Sequence, residues 1–178
     1  LCAVQNFCYY GVMIWLPSYL SYQMHFPLLQ STLWTAATVI GMAIGIGLFG
    51  VCADYFGRRP TFLLWQIGAA SMVVIYSQLT TPSLLLIGGA VMGFFINGML
   101  GGLGALISEL YPTSARATAQ NVLFNLGRAV GGFGPIIVPL FATTYSFPTA
   151  IALLATLYVL ELITTIWLIP ERKGIALN

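Results

Sequence analysis

Six runs of apolar residues, each long enough to cross a bilayer, constrain this chain more than any other feature. A transmembrane helix needs about 20 apolar residues to cross a hydrocarbon core of about 30 Å. The runs cover residues 1–22, 28–53, 61–79, 83–110, 114–145 and 149–169, and a short tail, residues 170–178, follows. Breaking or polar residues close them: Gln23, His25 and Pro27, then Asp54, then Thr80, Thr81 and Pro82, then Pro112, and finally Pro170. No stretch sustains the period-2 alternation of a half-buried strand. The expected fold is all-α, an integral membrane bundle of six helices. Only 6% of the 178 residues are charged, against about 25% in an ordinary soluble domain. So few charges cannot cover a water-facing surface, and the outer face is expected to meet lipid.

The basic residues test this topology. Arg58 and Arg59 fall in the second loop, Arg116 in the fourth, and Arg172 and Lys173 in the tail, while the first, third and fifth loops carry neither Lys nor Arg. Lys and Arg mark the cytoplasmic side of membrane proteins. Both ends of the chain are then expected in the cytoplasm, as an even number of spans requires, and the plasma membrane is the expected location. Leu1 stands directly in an apolar run with no basic leader. The chain is therefore expected to be a fragment that continues upstream.

Several chemistries are disfavoured. Cys2, Cys8 and Cys52 lie within apolar runs and lack CxxC spacing, so neither a metal site nor a disulfide framework is indicated. No nucleophile–base arrangement and no phosphate loop occurs, so an enzyme is not expected and no cofactor is called for. A net charge of +2 gives no reason to expect nucleic acid.

Small residues recur at helix-packing spacing. Gly41 and Gly45, Gly89 and Gly93, Gly98 and Gly102, and Gly127 and Gly131 are each four apart, which exposes backbone on one helix face. Pro17, Pro135 and Pro139 lie inside spans and are expected to kink them.

The residues between the second and third runs read Gly50-Val-Cys-Ala-Asp54-Tyr-Phe-Gly57-Arg58-Arg59. Asp54 ends one helix, Gly57 permits the turn and the arginines follow. This GxxxDxxGRR spacing resembles the loop signature of the major facilitator superfamily, with Tyr55 where that family usually has a basic residue. Three further segments resemble sugar-porter relatives and the aromatic-acid and sialic-acid:proton symporters. They are Glu109 to Arg116 across the fourth loop, Pro170-Glu-Arg-Lys-Gly174 after the last span, and Ala115 through Arg128 to Pro135 in the fifth. Tyr9-Tyr10-Gly11 through Pro17 is similar to the seventh helix of such symporters.

The resemblance implies helices seven to twelve of a twelve-helix secondary transporter whose N-terminal six-helix half is missing. Its partners would be the lipid bilayer, that missing half, a small organic solute (an organic acid or a sugar-like molecule) and protons. Asp54, Arg58, Arg59, Glu109 and Arg116, with the motif glycines Gly50 and Gly57, are expected to form a cytoplasmic gate network. A non-transporting membrane protein of the same fold and a self-associating half-transporter are the alternatives.

Arg128 is the most informative single residue. It lies about 18 Å beyond Arg116 along a helix that rises about 1.5 Å per residue, near the middle of the membrane, where a charge is costly and usually functional. Thr118, Asn121, Asn125 and Arg128 recur at three- and four-residue steps and form one polar stripe. Arg128 is expected either to hold an anionic group of the solute or to pair inside the protein, with Glu161 or with the missing half. Gln5, Asn6 and Asn97 complete the candidate solute contacts, with Asn121 and Asn125. Tyr9, Tyr10 and Trp15 are candidate cavity linings. Glu161, also near mid-depth, is expected to be a structural partner, and His25 to be solvated.

Overall fold

Because no water reaches the core of a bilayer, each spanning segment must satisfy its own backbone, and helices do so. The computed structural model describes residues 1–15, 17 and 28–170, and no strand occurs among them. Helix α1 (Cys2–Tyr10) runs into a π-helical turn (Gly11–Trp15). There follow α2 (Leu28–Phe56), α3 (Arg58–Ser77), α4 (Pro82–Gly98), α5 (Leu100–Leu110), α6 (Thr113–Gly131), α7 (Gly134–Thr144) and α8 (Phe147–Leu168). Among the described residues five stretches are long and apolar enough to cross a membrane: Thr32–Phe56, Arg58–Ser77, Pro82–Leu110, Thr113–Thr144 and Thr149–Leu168. The shortest have 20 residues, about 30 Å of helix. The protein is a multi-pass membrane protein. The later part of the first apolar run, with His25, and the tail with Arg172, Lys173 and Gly174 lie outside the described residues.

Local chemistry sets the helix ends. Gly57 separates α2 from α3 at φ 107°, a conformation costly for any residue with a Cβ. Pro82 opens α4, where its missing N–H costs nothing. The Ser146 hydroxyl accepts from the Thr149 N–H at 3.3 Å and caps α8.

Two of the runs read as single helices are interrupted. At Met99 the chain passes from α4 to α5 through a tight turn in which the Gly102 N–H bonds the Met99 carbonyl at 3.0 Å. Between α6 and α7 the Gly132 N–H closes on the Arg128 carbonyl at 2.9 Å. Pro135 then sits in the first turn of α7, so it starts a helix instead of bending one. Pro139 lies within α7.

Helices in lipid gain little from mutual burial of apolar surface, so close backbone approach at small residues carries their packing. All four glycine pairs lie where a neighbouring helix comes close, through its backbone or a large side chain. Helix α2 lies against α4, where Gly41 and Gly45 meet the Ala90 and Phe94 carbonyls and a Cβ on Gly93 would stand 2.6 Å from the Thr38 carbonyl oxygen. Helix α1 lies against α6, with Gly127 on the Cys2 backbone and Gly131 on Asn6. Gly98 accommodates Trp65, and Gly102 accommodates Phe49. Helix α3 packs between α4 and α8. Its buried Trp65 stacks on Phe94 with ring centroids 5.5 Å apart. The Trp34 indole N–H donates to the Tyr76 hydroxyl at 2.9 Å and ties α2 to α3. Ile40, Val51, Leu64, Ile67, Ile136 and Trp167 are exposed, an apolar exterior suited to lipid.

Candidate functional site

A cavity of about 350 Å3 opens where α1 faces α4, α5 and α6. Its polar lining is Gln5 and Asn6 from α1, Asn97 from α4 and Arg128 from α6; Tyr9, Tyr10, Leu100 and Phe124 supply the rest. The local sequence explains the arrangement. Gln5, Asn6 and Tyr9 share one side of α1 at helical spacing. Gly131 lets α6 approach Asn6 closely. The Asn6 amide is held by the Cys2 carbonyl at 2.8 Å, and the Gln5 amide donates to the Ile96 carbonyl, next to Asn97.

Arg128 lies in the last turn of α6, immediately before the helix breaks. The carbonyl-rich end of a helix favours a cation by about 0.3–1 kcal/mol, which partly offsets the cost of a guanidinium inside the membrane. Among the described residues Arg128 forms no ion pair. The expected alternative of an Arg128–Glu161 pair is not formed. Glu161 is buried in α8, 2% exposed. The cavity thus presents a guanidinium, which only donates, beside amide and tyrosine groups and aromatic faces. That set suits an anionic, planar solute.

Asn121 and Asn125 do not line the cavity. Their amides donate to the Ala117 carbonyl at 3.0 Å and to the Asn121 carbonyl at 2.8 Å, within their own helix. Both are exposed with Thr118, so this part of the polar stripe of α6 faces outward from this set of helices.

The charges of the motif loop gather at one end of the bundle. Arg58 contacts Asp54 at 3.2 Å, one turn away across Gly57, and Glu109 of α5 at 3.0 Å. Asp54 is 75% exposed, whereas the Arg58 and Glu109 side chains are 22% and 21% exposed. Arg59 donates to the Ile166 carbonyl at 2.6 Å and so occupies an acceptor left open at the end of α8. The Arg116 Nε is buried without a partner among the described residues. Gly50 has open space beside its Cα, since no atom would lie within 4 Å of a Cβ there.

Sequence reasoning missed Leu100 and Phe124, whose place in the cavity depends on the break at Met99 and on how α6 lies over α1. It also missed Gln120, which bonds the Gly104 carbonyl at 2.9 Å and the Ser108 hydroxyl at 3.1 Å and joins α5 to α6. Gln120 falls four residues after Arg116, inside the segment already singled out, and its polarity within an apolar run was the available signal.

Bilayer-length apolar helices and a cavity with polar side chains in its lining define a multi-pass helical membrane protein with a solute-sized pocket among its helices. The chain belongs to the major facilitator superfamily, which its sequence matches over residues 1–176. It is 62% identical over 178 residues to a putative metabolite transport protein of Haemophilus influenzae, covering 100% of this chain and 44% of that protein. It is 30% identical over 170 residues to a probable 4-methylmuconolactone transporter of Cupriavidus pinatubonensis, covering 95% of this chain and 40% of that protein. A cis,cis-muconate transport protein of Acinetobacter baylyi is 28% identical over 153 residues, 86% of this chain and 37% of that protein. The chain spans less than half the length of these curated relatives. The family and the relatives, as named, are transporters and not enzymes.

Proposed function

We propose that this chain is the C-terminal six-helix half of a secondary transporter that carries a small organic acid by alternating access. The observation that carries the reading is the cavity, in which Arg128 faces Gln5, Asn6, Asn97 and two tyrosines, with no carboxylate paired to it among the described residues. A bidentate guanidinium–carboxylate contact would fix an anion there, and the aromatic faces would favour a planar one over a sugar. Muconate is a planar dicarboxylate, and a relative bears its name. A volume of about 350 Å3 is at the lower end for a small-molecule site, in keeping with a solute of one ring or a short chain.

The missing half would close the cavity from the other side. The outward-facing polar stripe of Thr118, Asn121 and Asn125 supports this, because such a face belongs against water or protein and not against lipid. The Asp54–Arg58–Glu109 cluster, with Arg59 and Arg116, would act as a cytoplasmic latch, and the open face of Gly50 would receive the other half. Proton coupling, the plasma membrane and cytoplasmic chain ends complete the reading.

The test is solute counterflow with the complete protein in liposomes, using a radiolabelled planar carboxylate preloaded inside. Exchange with external carboxylates, but not with their methyl esters, is the expected result. Equal exchange of acids and esters, or none with any solute, would sink the reading.

A further inference from the structure

Glu161 is the one carboxylate buried among the described residues, 2% exposed, and its Oε2 has no hydrogen-bond partner. Among the described residues no Lys or Arg is paired with it. The groups around it are few. From α1 come the Leu1 amino group and the Cys2 and Cys8 thiols. In a chain continuing upstream that amine is a peptide nitrogen and carries no charge. From α8 itself comes Tyr158, one turn earlier, whose hydroxyl lies against the Cys8 thiol without a hydrogen bond of ordinary geometry. From α3 comes Gln66, which donates to Thr165 at 2.8 Å, while Thr165 donates to the Glu161 carbonyl at 3.0 Å. Arg59, also of α3, is spent on the Ile166 carbonyl, about 7 Å farther along α8. Helix α7 carries no charged residue.

An ionised carboxylate is not stable in such surroundings, because nothing replaces its water. The geometry points to Glu161 as a proton-binding site, neutral while α1 is packed on α8 and ionised only when those helices part and water enters. Cys2, Gln5 and Cys8 recur at three-residue steps and share a side of α1, and Gln5 also lines the cavity. Helix α1 is therefore an element that touches both the carboxyl and the solute site. Loss of the proton would move the cavity wall. This deepens the transport reading by assigning a proton site to this half, and it rests on that reading only for its consequence in transport.

The experiment is infrared difference spectroscopy of the complete protein in lipid nanodiscs across a pH titration. It is paired with maleimide labelling of Cys8, scored against the half-buried Cys52. The expected result is a protonated-carboxyl band at neutral pH that disappears on alkaline titration. Glu161→Gln abolishes it and Glu161→Asp shifts it. As the band disappears, Cys8 labelling rises relative to Cys52 in the wild type and stays low in Glu161→Gln. Absence of the band in the wild type at neutral pH overturns the proposal, as does its survival unchanged in Glu161→Gln. An equal rise of Cys8 labelling in both proteins does the same. If Glu161→Gln does not fold, the wild-type band and its shift in Glu161→Asp decide. The band is read without transport, so a protein that carries no solute still answers the question.

Discussion

Arg58 stands 3.0 Å from Glu109 and 3.2 Å from Asp54, so a single guanidinium joins the end of α2, the start of α3 and the last turn of α5. The two contacts are unequal. Asp54 is largely exposed, and an exposed pair contributes about 0–1 kcal/mol. Glu109 is mostly shielded, and a hydrogen bond to a charged group is stronger, about 1.5–3 kcal/mol. A double-mutant cycle with Arg58→Gln, Asp54→Asn and Glu109→Gln, read by unfolding in detergent, is expected to place the larger coupling on Glu109. High salt is expected to erase the Asp54 coupling first.

Gly57 holds the turn that presents Arg58. At φ 107° and ψ 162° it occupies a region open to glycine and strained for other residues. Gly57→Ala is expected to cost about 1–3 kcal/mol and to weaken the Arg58–Glu109 coupling in the same cycle.

The glycine faces make a contrasting pair of predictions. A methyl on Gly93 meets the Thr38 carbonyl at 2.6 Å, backbone that cannot yield without separating α2 from α4. Gly93→Ala is expected to destabilise by about 1–3 kcal/mol. Gly47 has nothing within 4 Å of the same position. Gly47→Ala is expected not to lower the unfolding temperature, since it displaces no atom and alanine favours the helix over glycine.

Gln66 and Thr165 make the buried side-chain bond between α3 and α8, at 2.8 Å. Hydrogen bonds between helices in membranes average about 0.6 kcal/mol and reach about 1.7 kcal/mol. Thr165→Val leaves the Gln66 amide without its partner in an apolar setting. Its cost is expected at the upper end of that range and above that of Gln66→Leu, which removes the polar group itself.

The helices were legible because their signal is local: apolar runs of bilayer length, ended by Pro82, Pro112 and the Asp54–Gly57 junction. The charged cluster was legible in part for the same reason, since Asp54 and Arg58 are one helical turn apart. That Glu109 would reach Arg58 was carried by resemblance, because nothing local joins α5 to α3. The interruptions at Met99 and Gly132 were not legible. Apolar composition continues through both, and what changes is a hydrogen-bonding register that packing decides. Asn121 and Asn125 share spacing with Arg128, yet only Arg128 is long enough and far enough along α6 to enter the cavity. Helical spacing fixed their common side but not where along α6 the opposing α1 would leave room. Leu100 and Phe124 carry no polar signal, and their place depends on the tertiary fold alone.

The central claim, that Arg128 receives the carboxylate of a small organic acid, is tested most directly by uptake into liposomes containing the complete protein. Wild type, Arg128→Lys and Arg128→Gln are compared on a planar carboxylate and its neutral amide. A charged hydrogen bond is worth about 1.5–3 kcal/mol. Arg128→Gln is therefore expected to raise KM for the acid by about 10- to 100-fold and to leave the amide little changed, with Arg128→Lys between. Equal losses for acid and amide, or unchanged KM for the acid in Arg128→Gln, would contradict the account.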